Sequence, residues 1–180
     1  GDVNGDATPD IYVAEYGNHL ANGTGGNDQV WLSDGNGGFT VSQVSTESDR
    51  AHGVSTGDID GDGDLDVVVT TLGSPGVGNG VNRLLVNDGV GILADTQNLL
   101  PREYRSDIGI EPPTYTWATL AELSGDNNAD LVFGGNFSGD SKLLIASSNG
   151  SFADSAGLSL PAMPIQADLI QFIEEVDLNG

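Results

Sequence analysis

The stretch GDIDGDGDLDVVVTT, residues 57–71, joins a loop of five aspartates to a run of valines and threonines. Two similar stretches, GDVNGDATPDIYV from Gly1 and AELSGDNNADLVF from Ala121, have the same order of acids, glycine and apolar residues. The segment VDLNG from Val176 starts a fourth copy. The first acidic residues of the copies lie 56, 64 and 55 residues apart. Spacing of this kind indicates a repeat architecture in which each copy is one supersecondary unit.

Strand signals surround each acidic loop. A short apolar run with β-branched residues follows the loop, which favours a strand. Next come QVWLSDGNGGFTV, RLLVNDGVGILAD and KLLIASSNGSFAD, in which two apolar segments flank a turn of Gly, Asn, Asp or Ser. That pattern is typical of a hairpin. Because another apolar stretch precedes the second, third and fourth loops, the unit is strand, acidic loop, strand and hairpin, with four antiparallel strands.

We predict an all-β chain that is a β-propeller fragment of about three four-stranded antiparallel blades. The acidic loop lies between the first and second strands of each blade. Radial repetition fits better than a sandwich, because it reuses one loop in every unit and leaves only short protected edges. The single partial propeller spans 1–180, with blade 1 (lacking its first strand) at 1–47, blade 2 at 51–99, a connector at 100–113, blade 3 at 114–161 and the first strand of the next blade at 166–180.

The acidic loops have the chemistry of calcium sites. In the second loop, acids occupy positions 1, 3, 5 and 9 and a backbone carbonyl is available at position 7, and calcium takes six to eight such oxygens. Carboxylates packed this densely repel one another without a cation. Position 4 is glycine in every copy, as a tight loop around an ion requires. The predicted Ca²⁺ ligands are Asp2, Asn4, Asp6, Thr8, Asp10, Asp58, Asp60, Asp62, Asp64, Asp66, Glu122, Ser124, Asp126, Asn128, Asp130, Asp177 and Asn179.

Three other structures contain loops of this composition: the EF-hand, the calcium-binding β-roll and a plain Asp-rich turn without an ion. An EF-hand needs a bidentate Glu at position 12 and continues into a helix, whereas position 12 here is Val13, Val69 or Phe133 inside an apolar run. A β-roll repeats its nonapeptides back to back, whereas the acidic loops here lie 55 to 64 residues apart. Plain turns stay open as an alternative, although copies in register favour the ion. We expect calcium affinity to follow ligand charge, from the second loop to the first to the third.

The sequence GDIDGDGDLDVVVTT followed by NRLLVNDGVGILADTQNLLP resembles the FG-GAP and VCBS repeats, over nearly the whole chain. The resemblance implies an integrin-α-like β-propeller, typically of seven blades, with calcium in the loop joining the first two strands of a blade. It also implies a secreted or cell-surface protein. Glu122 and Ser124 depart from the family pattern. Seven blades of this period need about 400 residues, so the implied partners include the remaining blades of the parent propeller.

The charge excludes two classes of partner. The chain has 27 acids and 5 bases, a formal net charge of −22, and 12 of the acids lie in the four loops. Nucleic acid and anionic membrane surfaces are poor partners for such a protein. No run of 18 apolar residues is present, so no membrane insertion is predicted. Hydrophobic residues make up 37% of the chain, which separates it from disordered acidic sequences.

The sequence contains no recognisable catalytic constellation: there is no Cys and no G-x-S-x-G elbow. The predicted function is a calcium-binding FG-GAP/VCBS-type module that mediates protein or glycan interaction, or adhesion, without catalysis. The alternative is part of a propeller-type extracellular enzyme acting on polysaccharide, for which His52, Tyr104 and Arg105 are the candidates. A third possibility is a structural module that only spaces other domains.

Several residues outside the repeats have two interpretations. His52 either contacts a ligand in the central funnel of the propeller or is an ordinary strand-edge residue, which is favoured, and His19 is expected to be a solvated loop residue. The segment 99–116 is either a contact surface with aromatics and arginines or, as favoured, a connector stiffened by proline. Trp31 and Trp117 lie in strand patterns and are expected in the core.

Overall fold

A computed structural model describes residues 1–17, 25–44, 50–71, 82–105, 113, 115–135 and 141–155. These residues form eleven strands and two 3-10 turns, Gln97–Leu99 and Arg102–Tyr104. Within them, no helix is long and apolar enough to cross a membrane. The strands are β1 (Ile11–Val13), β2 (Gln29–Ser33), β3 (Phe39–Gln43), β4 (Ala51–Gly57), β5 (Asp66–Thr71), β6 (Arg83–Asn87), β7 (Leu93–Asp95), β8 (Trp117–Ala121), β9 (Asp130–Gly134), β10 (Lys142–Ala146) and β11 (Phe152–Asp154).

The strands form three antiparallel sheets in chain order. The first sheet is β1-β2-β3, the second β4-β5-β6-β7 and the third β8-β9-β10-β11. The predicted all-β class with antiparallel meanders is confirmed, and the first sheet contains three strands within the described residues. An acidic loop precedes β1, joins β4 to β5 and joins β8 to β9. The predicted strand at 166–180 and His19 lie outside the described residues.

The second sheet is covered on both faces by its neighbours. In β5, Val67, Val68 and Val69 are all 0% exposed. Successive side chains of a strand point to opposite faces. Val68 accordingly belongs to a core cluster shared with the third sheet, whereas Val67 and Val69 belong to one shared with the first. The continuous valine run is therefore a central strand between two cores, each valine contributing about 1.5–3 kcal/mol of burial free energy.

The segment 99–116 is a packed connector in the part that the structure describes. Tyr104 and Tyr115 are each 2% exposed. The Tyr115 ring stacks on Phe133 with 4.4 Å between centroids, and Tyr104 stacks on Phe133 at 6.0 Å. The interpretation of these tyrosines as a contact surface is therefore wrong, because aromatic burial between the second and third sheets places them in the core.

The two tryptophans differ from the expectation that they lie in the core. Trp31 lies in β2 and Trp117 in β8, and both are only partly buried. The Trp31 ring contacts Phe39 at 6.2 Å between centroids, and Phe39 is itself 46% exposed. For Trp31 the reason is its position: it pairs with Ile11 and Val41, which are both exposed on one open face of the first sheet.

A buried ion pair joins the first and second sheets. The Arg83 guanidinium, at the start of β6, donates to the Asp28 carboxylate, which is 0% exposed. Asp28 also accepts hydrogen bonds from the Tyr12 hydroxyl and the Glu15 backbone N–H, each at 2.8 Å. One carboxylate therefore fixes the end of β1 to the neighbouring sheet. These residues lie at the end of the strands opposite the acidic loops.

Candidate metal centre

Each acidic loop winds around its first carboxylate. Asp58 accepts hydrogen bonds from the backbone N–H groups of Gly61 at 2.7 Å and Gly63 at 3.0 Å. Asp2 likewise accepts from Gly5 at 2.8 Å and Ala7 at 2.7 Å. In both loops positions 4 and 6 donate, and in the first loop the Asp6 backbone N–H at position 5 also donates, at 3.1 Å.

The winding requires left-handed backbone at two positions of every described loop. Position 4 is always glycine, whereas position 6 varies in residue type. A non-glycine residue pays roughly 1–2 kcal/mol in this conformation. The φ angles at position 4 are +73° at Gly5, +80° at Gly61 and +85° at Gly125, and at position 6 they are +65° at Ala7, +94° at Gly63 and +69° at Asn127.

The second loop brings three carboxylates together. Oxygens of Asp58, Asp60 and Asp66 lie within 4.8 Å of one another. Oxygens that coordinate one calcium ion at 2.3–2.6 Å have separations of this size. In the part of the chain that the structure describes, no other group of three His, Cys, Asp or Glu side chains converges in this way. The donor set therefore fits a hard divalent cation.

Electrostatics in this group favour an added positive charge. Burial raises the pKa of Asp66 to about 6, and the charges of Asp60 and Asp62 add to the rise. Burial also raises the pKa of Asp60, with further contributions from the charges of Asp62 and Asp58. Desolvation and like charge both disfavour the ionised form of a carboxyl group. A bound cation would offset both effects.

The aspartate at position 9 has a second, structural role. It is buried in every described loop. One of its carboxylate oxygens accepts the backbone N–H of loop position 2. The other accepts the backbone N–H of the last residue of the third strand of the unit, which is β2, β6 or β10. The donors are Val3 (2.9 Å) and Ser33 (2.8 Å) to Asp10, Ile59 (2.7 Å) and Asn87 (2.8 Å) to Asp66, and Leu123 (3.0 Å) and Ala146 (2.9 Å) to Asp130. A carboxylate offers about four lone-pair sites, so metal ligation and this clamp are compatible.

The third sheet covers the second loop. The backbone N–H of Ala129 donates to the Asp58 carbonyl at 3.4 Å, and Ile59 is 0% exposed. A Cβ atom at Gly150, in the turn between β10 and β11, would lie 2.9 Å from the Asp60 Cβ. Such contacts leave space only for glycine. The hairpin of one sheet therefore closes over the acidic loop of the preceding sheet.

The first loop has the same neighbour relation. Asn87 donates through its side-chain amide to the Val3 carbonyl at 2.7 Å. A Cβ at Gly5 would lie 3.3 Å from the Gly89 carbonyl oxygen, in the turn between β6 and β7. The second sheet thus contacts the first loop as the third sheet contacts the second.

The sequence profile of FG-GAP-like repeats matches residues 2–69. The match spans the first two acidic loops and the strands between them. The chain carries an FG-GAP-like repeat. No curated protein sequence matches the chain significantly.

A solved structure has the same architecture. The chain is similar to a lectin from Agrocybe aegerita, whose structure is described for specific recognition of non-reducing terminal N-acetylglucosamine, with a TM-score of 0.52 and 19% identity. The likeness covers 84% of this chain and 35% of the lectin chain. At this identity it shows the fold alone, and it supports the assignment of the three sheets to blades of a β-propeller.

Apart from the buried Asp10 and Asp130, the predicted ligands of the first and third loops are exposed or only partly buried. In the first loop, the Asn4 amide donates to Asp6 at 3.2 Å, and the Thr8 N–H donates to Asp6 at 2.8 Å. In the third loop, Glu122, Ser124 and Asp126 are exposed. Hydrogen bonding by the Asn128 backbone N–H lowers the pKa of Asp126. Asp177 and Asn179 lie outside the described residues.

Within the second loop, Asp62 and Asp64 lie outside the converging group. The Asp64 N–H donates to the Asp62 carboxylate at 2.9 Å. The Asp64 carboxylate lies against the turn at Gly89, where a Cβ atom would come within 2.4 Å of it. Asp64 was predicted to act through its backbone carbonyl, which this side-chain position does not affect.

Proposed function

We propose that the chain is a calcium-stabilised, non-catalytic FG-GAP interaction module of a secreted or cell-surface protein. The observation that carries the proposal is the convergence of Asp58, Asp60 and Asp66 within 4.8 Å. Calcium ligands are hard oxygens of this kind, and extracellular modules bind calcium with dissociation constants of about 10⁻⁴–10⁻³ M. Ca²⁺ would hold the second loop against the third sheet.

Uncovered apolar surface at both outer sheets supports further blades as partners. At loop position 2, Val3 is 3% exposed and Ile59 is 0% exposed, because the next sheet covers each of them. The equivalent Leu123 is 49% exposed. On the first sheet, Ile11 and Val41 are 44% and 53% exposed. We infer that the remaining blades of a larger propeller cover these surfaces.

The alternative enzyme function loses support at one of its three candidates. Tyr104 is buried, and its hydroxyl donates to Asp154 at 3.1 Å. A buried hydroxyl with a carboxylate partner is a packing element rather than a group available to substrate. The converging carboxylates of the second loop are accounted for by the proposed cation. The interaction module is therefore the function that the geometry supports best, with a glycan or protein as ligand.

Calcium titration of the Asp60→Asn variant tests the metal site. Asp60 contributes one carboxylate to the converging group, so its loss lowers the ligand charge and weakens calcium affinity by about tenfold or more. Isothermal titration calorimetry measures this directly. The matched control is Asp34→Asn, because Asp34 is an exposed aspartate of a turn between β2 and β3 whose carboxylate accepts from Asn36 and Gly38 N–H groups. Equal affinities in all three proteins would contradict the proposal.

A further inference from the structure

His52 occupies a β-bulge at the end of the sheets opposite the acidic loops. In the pairing of β4 with β5, Ala51 is opposite Thr71 and Gly53 is opposite Thr70, so the register skips His52. A bulge leaves one residue out of the ladder and redirects its side chain. Its side chain is exposed. Bulges occur frequently beside binding and active sites.

The neighbouring sheet fixes the orientation of the imidazole. The His52 Nδ1 atom lies 2.8 Å from the Thr116 backbone carbonyl oxygen. Because a carbonyl only accepts, Nδ1 carries the hydrogen, and Nε2 of the neutral ring is then an acceptor. The second and third sheets together thus present one defined hydrogen-bond acceptor.

Close backbone packing holds this arrangement in place. A Cβ atom at Gly53 would lie 2.7 Å from the Thr70 Oγ1 atom and 3.1 Å from the Thr116 carbonyl oxygen. Contacts this short are available only to glycine, so β8 lies directly against the start of β4. The bulged residue is therefore supported by rigid strands rather than by a loop.

The first sheet contributes an aromatic ring. Tyr16 lies edge-on to His52, with 6.4 Å between ring centroids and 71° between ring planes. The preceding residue, Glu15, is exposed, and its backbone N–H is bound by the buried Asp28 carboxylate at 2.8 Å. Asp28 is held in turn by Arg83. This backbone anchor holds the segment that carries Tyr16, so all three sheets contribute to one locality with an acceptor nitrogen and an aromatic ring.

We propose that His52 and Tyr16 form part of a binding site for a neutral glycan. A sugar hydroxyl is a donor for the His52 Nε2 atom, and the apolar face of a sugar ring packs on an aromatic side chain such as Tyr16. The net charge of −22 disfavours anionic ligands. A protein partner would need about 800 Å² of contact surface on this protein, whereas the observed group is one pair of contacting rings, His52 and Tyr16. This inference rests on the proposed interaction function and names its ligand class.

Two substitutions at His52 separate ligand contact from structural support. His52→Asn keeps a donor at the Nδ1 position for the Thr116 carbonyl but removes Nε2. His52→Gln keeps a polar group at the reach of Nε2. With a panel of neutral oligosaccharides as probes, including chains that end in N-acetylglucosamine, we expect His52→Asn to weaken binding by about three- to tenfold. His52→Gln retains more of the affinity, and Tyr16→Ala also weakens binding.

Thermal melting with and without calcium accompanies each binding measurement. An unchanged melting temperature together with weakened binding by His52→Asn supports the site. If the His52→Asn variant binds the glycan as tightly as the unsubstituted protein does, the proposed site is overturned. Absence of binding to every neutral oligosaccharide by the unsubstituted protein also overturns the glycan assignment. In both of these cases the calcium response of the second loop tests the proposed function separately, because His52 lies at the opposite end of β4 from that loop.

Discussion

At the scale of single residues, position 6 of the acidic loops shows how backbone conformation limits the sequence. This position has a positive φ in every described loop but is Ala7, Gly63 or Asn127. Asparagine tolerates the left-handed region better than alanine. The second loop, which brings three carboxylates together, has Gly63 at position 6, and glycine is the residue with the least strain in this conformation.

Replacing Gly63 measures that strain. A Cβ at Gly63 would have no atom within 4 Å, so Gly63→Ala changes backbone energy without a steric clash. We expect the free energy of unfolding to fall by about 1 kcal/mol. Gly63→Asn is the matched control. Its free energy of unfolding should fall by less, because Asn127 adopts the same conformation at the equivalent position of the third loop. Urea denaturation in chelator measures both, and an equal loss for Ala and Asn would contradict the argument.

Asp66 makes stability depend on pH in the absence of calcium. Burial raises the pKa of its carboxyl group to about 6 from an ordinary value of 3.8. The folded state therefore binds the proton more tightly than the unfolded state. The stability that this group contributes is present below about pH 4 and is lost as the pH rises through about 6.

The measurement is urea denaturation in chelator at several pH values from 4 to 7, with Asp66→Asn as the reference. The difference in slope between the two proteins isolates Asp66 from the other carboxylates. Excess calcium should remove the decline, because the ion binds the ionised carboxylate. Parallel pH profiles for the two proteins in chelator would show that the carboxyl group is not perturbed.

Single residues also show how far the sequence predicts the site. The alternation of acids and glycine predicts the loops, because position 4 needs left-handed backbone and carboxylates need a cation. The double role of Asp10, Asp66 and Asp130 was missed, since their second donors lie 23, 21 and 16 residues along the chain. A signal was present: position 9 is Asp in all three complete loops, whereas position 3 varies, and position 2 is always apolar.

At the scale of elements, a hairpin turn and an acidic loop from different sheets act as one unit. Gly150 belongs to the turn between β10 and β11, yet a Cβ atom there would lie 2.9 Å from the Asp60 Cβ. No local pattern predicts this contact, because 90 residues separate the two positions. Strands and hairpins follow from local periodicity, whereas the packing of one sheet on the next depends on the fold.

Gly150→Ala therefore tests coupling between elements. The added methyl group displaces Asp60, and we expect weaker calcium binding together with lower stability. Gly37→Ala is the matched control, because Gly37 also lies in a hairpin turn with a positive φ of +93° but has no atom within 4 Å of a Cβ. Both variants bear backbone strain, and only Gly150→Ala should lower calcium affinity in calorimetry. An equal affinity in the two variants would contradict the coupling.

At the scale of the whole molecule, the three sheets contact each other as neighbours in a row. The second sheet shares one hydrophobic cluster with the third sheet and another with the first. In repeat proteins, stability is approximately a sum of unit and interface terms. The Asp28–Arg83 pair belongs to the interface between the first and second sheets, far from the carboxylates of the second loop.

Removing one partner of this pair leaves a buried charge. We expect Arg83→Met to lower the free energy of unfolding by about 3–5 kcal/mol. Asp28→Asn should lower the free energy of unfolding by less. The double variant should lose less stability than the two single variants combined, because it leaves no unpaired charge at either position. Urea denaturation gives this cycle. Calcium affinity of the folded Arg83→Met protein should be unchanged, since Arg83 begins β6 and the second loop contacts its far end.

The closing of each loop by the following sheet has a consequence for biosynthesis. The ligands of the second loop are complete when Asp66 has been made, but the turn that covers them contains Gly150, 84 residues later. Ribosomes add about 5–20 residues per second, so the loop waits roughly 4 to 17 s for its cover. The loops are therefore completed in order from the N-terminus. Each loop is covered only after the next unit has left the ribosome, and a stalled chain always exposes its most recently synthesised loop.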